Sequence, residues 1–155
     1  MNNYLVYLDI PPVPENLLEP VETIINKPPK PHSNIPSDYY FFQTRLISDQ
    51  LLQWVRDTFK SNCYAQYQIV RNGVPIHRDV GRNVAFNYLL DTGGHNVATC
   101  IYNDTRELVF SECVPVKTWH RLKTDVLHNV CNIQTDRVAL SAHLLDYKWN
   151  DPLTV

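Results

Sequence analysis

The chain has 155 residues, 44% of them hydrophobic and 11% aromatic, which is enough to fill one core. Global disorder is therefore excluded, and a single domain over 1–155 is expected. Its 14 basic and 16 acidic residues leave a net charge of −2, which argues against attachment to nucleic acid or a membrane surface by bulk positive charge. No stretch approaches the roughly 18 apolar residues of a membrane span. The start, Met1-Asn2-Asn3-Tyr4, lacks the basic and apolar regions of a signal peptide. The four cysteines, Cys63, Cys100, Cys113 and Cys131, form no CxxC pair. Reduced thiols in a cytoplasmic compartment (the host cytoplasm for a viral chain) are expected rather than a zinc site or a disulfide framework.

In chain order, Tyr4–Leu8 reads as a short strand. Eight of the 11 prolines then fall between Pro11 and Pro36. They forbid one long helix over Ile10–Ser37, so residues 1–37 read as an extended proline-rich arm on the outside of the fold. One main helix follows near 49–60: Ser48 caps it, Leu51, Leu52, Val55 and Phe59 recur on one face, and Asp49 and Lys60 suit the helix dipole.

From Tyr64 onward, short apolar runs alternate with turns. The expected strands are Tyr64–Arg71, Val74–Asp79, Asn83–Leu90, Asn96–Tyr102, Arg106–Ser111, Lys117–Leu122, Leu127–Ile133 and Arg137–Leu145. A spacing near ten residues suits an all-β sandwich or barrel over 64–145, not βαβ units. Strand phases add detail. Val84, Phe86, Tyr88 and Leu90 share a face to be buried. In the last strand Val138, Leu140, Ala142 and Leu144 share the apolar face, which is expected to pack outward on the helix or the arm. The opposite face, Arg137, Ala139, Ser141 and His143, is polar, and a polar cavity would explain it.

His77-Arg78-Asp79 places a histidine and a carboxylate on the same side of a strand. With His128 from a facing strand they make a two-histidine, one-carboxylate set that leaves three positions of an octahedral ion open; such a set suits Fe(II), Mn(II) or Zn(II), and the open positions favour iron and oxygen. Arg137 lies nine residues after His128, across the Gln134-Thr135-Asp136 turn. A hairpin there would point it into the same cavity, where a guanidinium can hold a carboxylate by two parallel hydrogen bonds. Ser141 has the same phase and can assist. Each residue alone has a structural reading: a turn carboxylate, a buried histidine, a surface ion pair. The order, phase and interval together carry the chemical one. Among the other histidines, His95 reads as a solvated turn residue, His120 as a strand residue of open orientation and His143 as structural. Trp119 reads as core.

The set His77-Arg78-Asp79, Arg82, Tyr88-Leu89, Gly93-Gly94, His128 and Arg137 resembles the small Fe(II)/2-oxoglutarate-dependent oxygenases. The similarity is greatest to the prolyl-hydroxylase-like branch and to short oxygenase-like proteins of marine phages. It covers about 64–145. It implies a double-stranded β-helix (jelly roll), Fe(II) bound by His77, Asp79 and His128, and Arg137 on the distal carboxylate of 2-oxoglutarate. Matching the motif also implies Tyr67, ten residues before His77, and Tyr88 as hydrogen-bond partners of the cosubstrate. The sequence departs from the pattern in placing its last-strand serine four residues after Arg137 rather than two, in a longer step after Gly93-Gly94, and in lacking bracing helices.

The implied activity is hydroxylation or demethylation of an unidentified substrate, with O2 and 2-oxoglutarate consumed and succinate and CO2 released. No basic patch with interleaved aromatics marks a nucleic-acid groove, so a peptide or small molecule is the expected substrate. Arg78 and Arg82 flank the mouth as candidates to attract an acidic group. Two other readings stay open: a non-catalytic β-barrel module, for binding or for a virion, and a metal-dependent jelly roll that does not use 2-oxoglutarate.

Overall fold

The computed structural model describes residues 2–28, 42–71 and 74–153. The first strand, β1 (Leu5–Tyr7), is followed by extended chain. The proline-rich arm is not extended throughout. Among its described residues it carries a 3-10 turn at Glu15–Leu17 and a six-residue helix, α1 (Val21–Asn26), entered directly from Pro20 at φ −57°. Proline fixes φ near the helical value and stops a helix only downstream of its first turn, so the spaces between prolines admit short helical pieces. Residues 29–37 of the expected arm lie outside the described residues. Ile10, Val13 and Ile24 are buried, so this part of the arm is an integral wall of the core.

Strand β2 (Phe42–Arg45) was not legible in the sequence. Four mixed residues carry little intrinsic signal, and pairing with the next strand decides their state. The main helix, α2 (Asp49–Phe59), matches expectation. Ser48 Oγ accepts from the Leu51 amide at 3.1 Å. Leu51, Val55 and Phe59 recur four apart and are buried, and Lys60 closes the helix in the left-handed conformation at φ 48°.

Seven strands follow: β3 (Tyr64–Val70), β4 (Val84–Asp91), β5 (Ala98–Tyr102), β6 (Leu108–Glu112), β7 (Trp119–Lys123), β8 (Leu127–Cys131) and β9 (Arg137–His143). The expected strand Val74–Asp79 is reduced to one bridge, His77 opposite His128. The strands form two antiparallel sheets, one ordered β1-β7-β4-β9-β3-β2 and one ordered β6-β5-β8. Among the described residues the fold is all-β in its core, with two α-helices. Among the described residues no helix is long and apolar enough to cross a membrane.

The larger sheet is covered on both faces. Outward, Val138, Leu140 and Ala142 of β9, with Leu144 just past it, join Val84, Phe86 and Tyr88 of β4 against Leu51, Val55 and Phe59 of α2 and against the arm. Phe59 meets Phe86 and Trp119 edge-on at 5.3 and 5.0 Å, so Trp119 is core. Inward, a smaller cluster of Leu5, Leu89, Ile101, Val114, Leu122 and Ala139 fills the space between the sheets. The apolar face of β9 thus packs on the helix and arm, leaving Arg137, Ser141 and His143 for the interior.

Candidate metal centre

His77 and His128 exchange both backbone hydrogen bonds, at 3.0 and 2.9 Å. Residues paired in this way project side by side from one face, and the two rings lie 4.4 Å apart. Asp79, two residues on, has the same phase as His77, and its amide is tied to the Thr124 carbonyl at 2.9 Å. Its Oδ1 lies 3.5 Å from Nε2 of His77 and 3.5 Å from Nε2 of His128. One donor atom from each of the three residues falls within 4.8 Å of the others.

The donor set fits a divalent ion. Nδ1 of His77 donates to the Pro75 carbonyl at 2.8 Å and Nδ1 of His128 to the Val126 carbonyl at 2.8 Å. A carbonyl only accepts, so both Nδ1 atoms carry a proton, and both Nε2 atoms face Asp79, donating to it when protonated and offering a lone pair to an ion when not. Three ligands ~2.1 Å from one ion and at right angles would be separated by ~3.0 Å, so the two 3.5 Å separations from Asp79 Oδ1 need only a small contraction.

The other carboxylate oxygen is occupied. Arg82 directs Nε and Nη2 at Asp79 Oδ2, at 2.8 and 2.5 Å. Burial alone would push the Asp79 carboxyl up, but hydrogen bonds to His128 and His77 and the Arg82 charge hold it well below the usual carboxylate range. The hydrogen bond to Asp79 raises His77 against the opposing effect of burial. Arg82 is therefore engaged with a ligand and does not await an acidic group at the mouth. Arg78 is likewise paired, with Asp104.

Arg137 faces the interior and is 4% exposed. The Gln134–Asp136 turn is not a hairpin: it carries the chain from β8 in the small sheet to β9 in the large one. The guanidinium donates to the Thr92 carbonyl and to Thr99 Oγ1, both at 3.3 Å. It has no carboxylate partner among the described residues, and burial draws its pKa down to about 10. The β4–β5 connection abuts it closely. A Cβ on Gly93, where φ is +85°, would stand 3.0 Å from Arg137 Cβ and from the Thr135 carbonyl oxygen, so only glycine fits there.

Thr99 shares the inward face of β5 with Ile101, the residue opposite His128. Two residues along a strand span about 6.6 Å. Arg137 and the histidines thus sit at opposite ends of one interior, with Ile101, Leu89 and Ala139 beside it.

Ser141 is on the inward face, near Arg82 Nη1 at 3.4 Å. Tyr67 and Tyr88 are not. Both stand opposite Leu140, on the outward face of the larger sheet, within the helix-side core. Tyr67 Oη accepts from the Glu19 amide at 3.2 Å, and Tyr88 packs on Trp119 at 5.2 Å. The inward positions beside them are Gln66, Gln68, Asn87 and Leu89. Strand phase alone would have located Thr99 and Asn87, and the Asp79-Val80-Gly81-Arg82 turn was the signal for Arg82.

His120 also faces inward, opposite Asn87, and is 1% exposed. Burial, aided by the Arg137 charge, pulls its pKa from 6.5 to about 4. As pH falls from 6.5 to 4 the unfolded chain takes up this proton before the folded one, so stability is lost over that window, by roughly 3 kcal/mol at most. Below pH 4 this group changes nothing further. Urea unfolding of His120→Gln should show a correspondingly shallower acid limb than wild type across that range.

No family model and no curated protein matches the chain, so the assignment of function rests on the geometry of this site.

Proposed function

We propose that the chain is a jelly-roll oxygenase dependent on Fe(II) and 2-oxoglutarate, hydroxylating or demethylating a peptide or small molecule in a reducing cytoplasm. Two features placed in one interior carry this reading. The first is a His-Asp-His set whose two Nε2 atoms converge on Asp79 Oδ1. The second is a buried guanidinium with no carboxylate of its own among the described residues. Metal-dependent chemistry explains the first, and a negatively charged cosubstrate explains the second.

The strand order supports a jelly roll. From β3 onward the chain alternates between sheets: β3 large, the His77 segment small, β4 large, β5 and β6 small, β7 large, β8 small, β9 large. The large sheet then has the central order β7-β4-β9-β3 and the small one β6-β5-β8-His77, the arrangement of eight strands in two Greek keys.

His77, Asp79 and His128 would hold the ion. Bound there, Fe(II) supplies O2 activation coupled to the decarboxylation of 2-oxoglutarate to succinate and CO2. Arg137 and Thr99 would hold the far carboxylate of the diacid, whose five-carbon length suits the separation of the two ends. Leu89, Ile101 and Ala139 keep water out of the space beside it. The four free thiols agree with a reducing compartment.

A second reading, a metal-dependent jelly roll that does not use 2-oxoglutarate, gains support from Tyr67 and Tyr88. They face the outer core, so Arg137 lacks the phenolic companions that the resemblance implies. Aerobic incubation with Fe(II), ascorbate and 2-oxoglutarate separates the two. Succinate should form above the level of His77→Ala and rise with candidate peptide substrates. Stoichiometric metal binding with no succinate and no 2-oxoglutarate affinity would put the second reading ahead.

A further inference from the structure

Arg82 does more than neutralise a carboxylate. Its Nε and Nη2 converge on one oxygen of Asp79, Oδ2, while Oδ1 is left to face both histidine Nε2 atoms. A guanidinium more often spreads its two donors over both carboxylate oxygens. The backbone around the pair is fixed at both ends by one residue. Thr124, 1% exposed, accepts from the Asp79 amide at 2.9 Å, donates from Oγ1 to the Arg82 carbonyl at 2.8 Å, and donates from its amide to the Asn83 carbonyl at 2.9 Å. Between Asp79 and Arg82 the chain reverses through Gly81 at φ +77°. The side chains of Arg82 and Asp79 are 21% and 14% exposed, so the pair is sheltered from solvent, unlike an ordinary surface ion pair. Nη1 extends to Ser141 on β9, which steadies the far end of the guanidinium.

A carboxylate binds a divalent ion through one oxygen or through both. Two-oxygen binding here would take one of the three positions that a His-Asp-His set leaves open, and a chelating cosubstrate together with O2 needs all three. We propose that Arg82 is a positioning residue that confines Asp79 to one-oxygen ligation by saturating Oδ2 with two charge-assisted hydrogen bonds. This rests on the metal-site reading above. In consequence, the number of exchangeable sites on the ion is set by a residue that never touches it.

The test counts water on Mn(II), which occupies such sites and relaxes the protons of bound water. In wild-type protein loaded with Mn(II), water-proton relaxation should report three exchangeable waters. In Arg82→Ala at saturating Mn(II) it should report two, with Mn(II) affinity lower by about 10–100-fold, the usual cost of losing a partner of a ligand. A residue that merely braces the loop would not change the water count. Three waters in a folded Arg82→Ala would overturn the proposal. Should Arg82→Ala fail to fold, the wild type still decides. In Zn(II)-loaded protein the Arg82 Nε–H should stay protected from solvent exchange, and exchange at the rate of a free arginine would overturn it. Wild-type protein that binds no Mn(II) would remove both the metal site and the clamp. Three waters in wild type and in the folded variant would remove the clamp alone.

Discussion

His77→Ala should lower the affinity of the protein for Fe(II) or Mn(II) by more than about 100-fold, since losing a ligand costs more than losing the partner of one. That factor corresponds to about 2.7 kcal/mol. His77 is the informative choice because its side chain is 42% exposed, so little packing is lost with it. The metal-free variant should therefore unfold within about 1 kcal/mol of wild type in urea, as expected of a surface-exposed change. His128, 9% exposed at the side chain and set against the interior, is a poorer probe because binding and folding would fall together. Titration with Mn(II), followed by its free-ion resonance, measures the affinity. Unchanged binding in His77→Ala would place the ion elsewhere.

Arg137→Ala should weaken 2-oxoglutarate binding to the metal-loaded protein by around 30- to 150-fold, the equivalent of about 2–3 kcal/mol for a sheltered charge-assisted pair. Metal affinity should hardly move, because Arg137 is no ligand. Arg137→Lys should restore only part of the binding, since an ammonium cannot reproduce the fork. Thermal unfolding adds a sign that a structural arginine would not show. A buried cation without an anion is a cost to the folded state, so Arg137→Met should unfold at the same or a higher temperature than wild type when no diacid is present. A diacid at about 100 times its dissociation constant should stabilise the wild type by roughly 2.7 kcal/mol and Arg137→Met far less. Equal stabilisation of both would remove the diacid from this end of the interior.

The parts of the fold legible in the sequence were those written as local chemistry. Ser48 and the spacing of Leu51, Val55 and Phe59 specify α2 within about a residue. The alternation along Arg137–Leu145 assigned one face of β9 to the helix and arm and the other to the interior, as found. The run Val74–Asp79 reads as a strand but makes a single ladder bridge, at His77, because Pro75 has no amide to pair. Strand β2 and helix α1 were missed because both are short and owe their state to what they pack on.

The tyrosines show where matching a motif and reading a phase part company. Tyr88 belongs to the same alternation as Val84 and Phe86, and that alternation already assigned it to the buried apolar face. A second core outside the larger sheet means that this face is not the one turned toward the small sheet. Likewise Tyr67 alternates with Gln66 and Gln68, and in a sheet buried on both sides the polar partners are the ones turned inward. Distances to His77 along the chain do not carry this information; the pleat does.

The single bridge between His77 and His128 has a consequence for folding. The two residues are 51 positions apart, and the segment bearing His77 and Asp79 pairs with β8 of the small sheet at that one bridge, while the Asp79 amide is held by Thr124, just past β7 of the larger sheet. An ion held by all three side chains would be a cross-link closing that 51-residue loop, acting on the unfolded chain as a disulfide does, but reversibly and in proportion to free ion. The His77 segment, held to β8 by one bridge without the ion, would be fastened there through the ion as well. Metal supply would govern the lifetime of the chain as well as its chemistry, with the His77 segment basted to β8 without the ion and stitched to it with one.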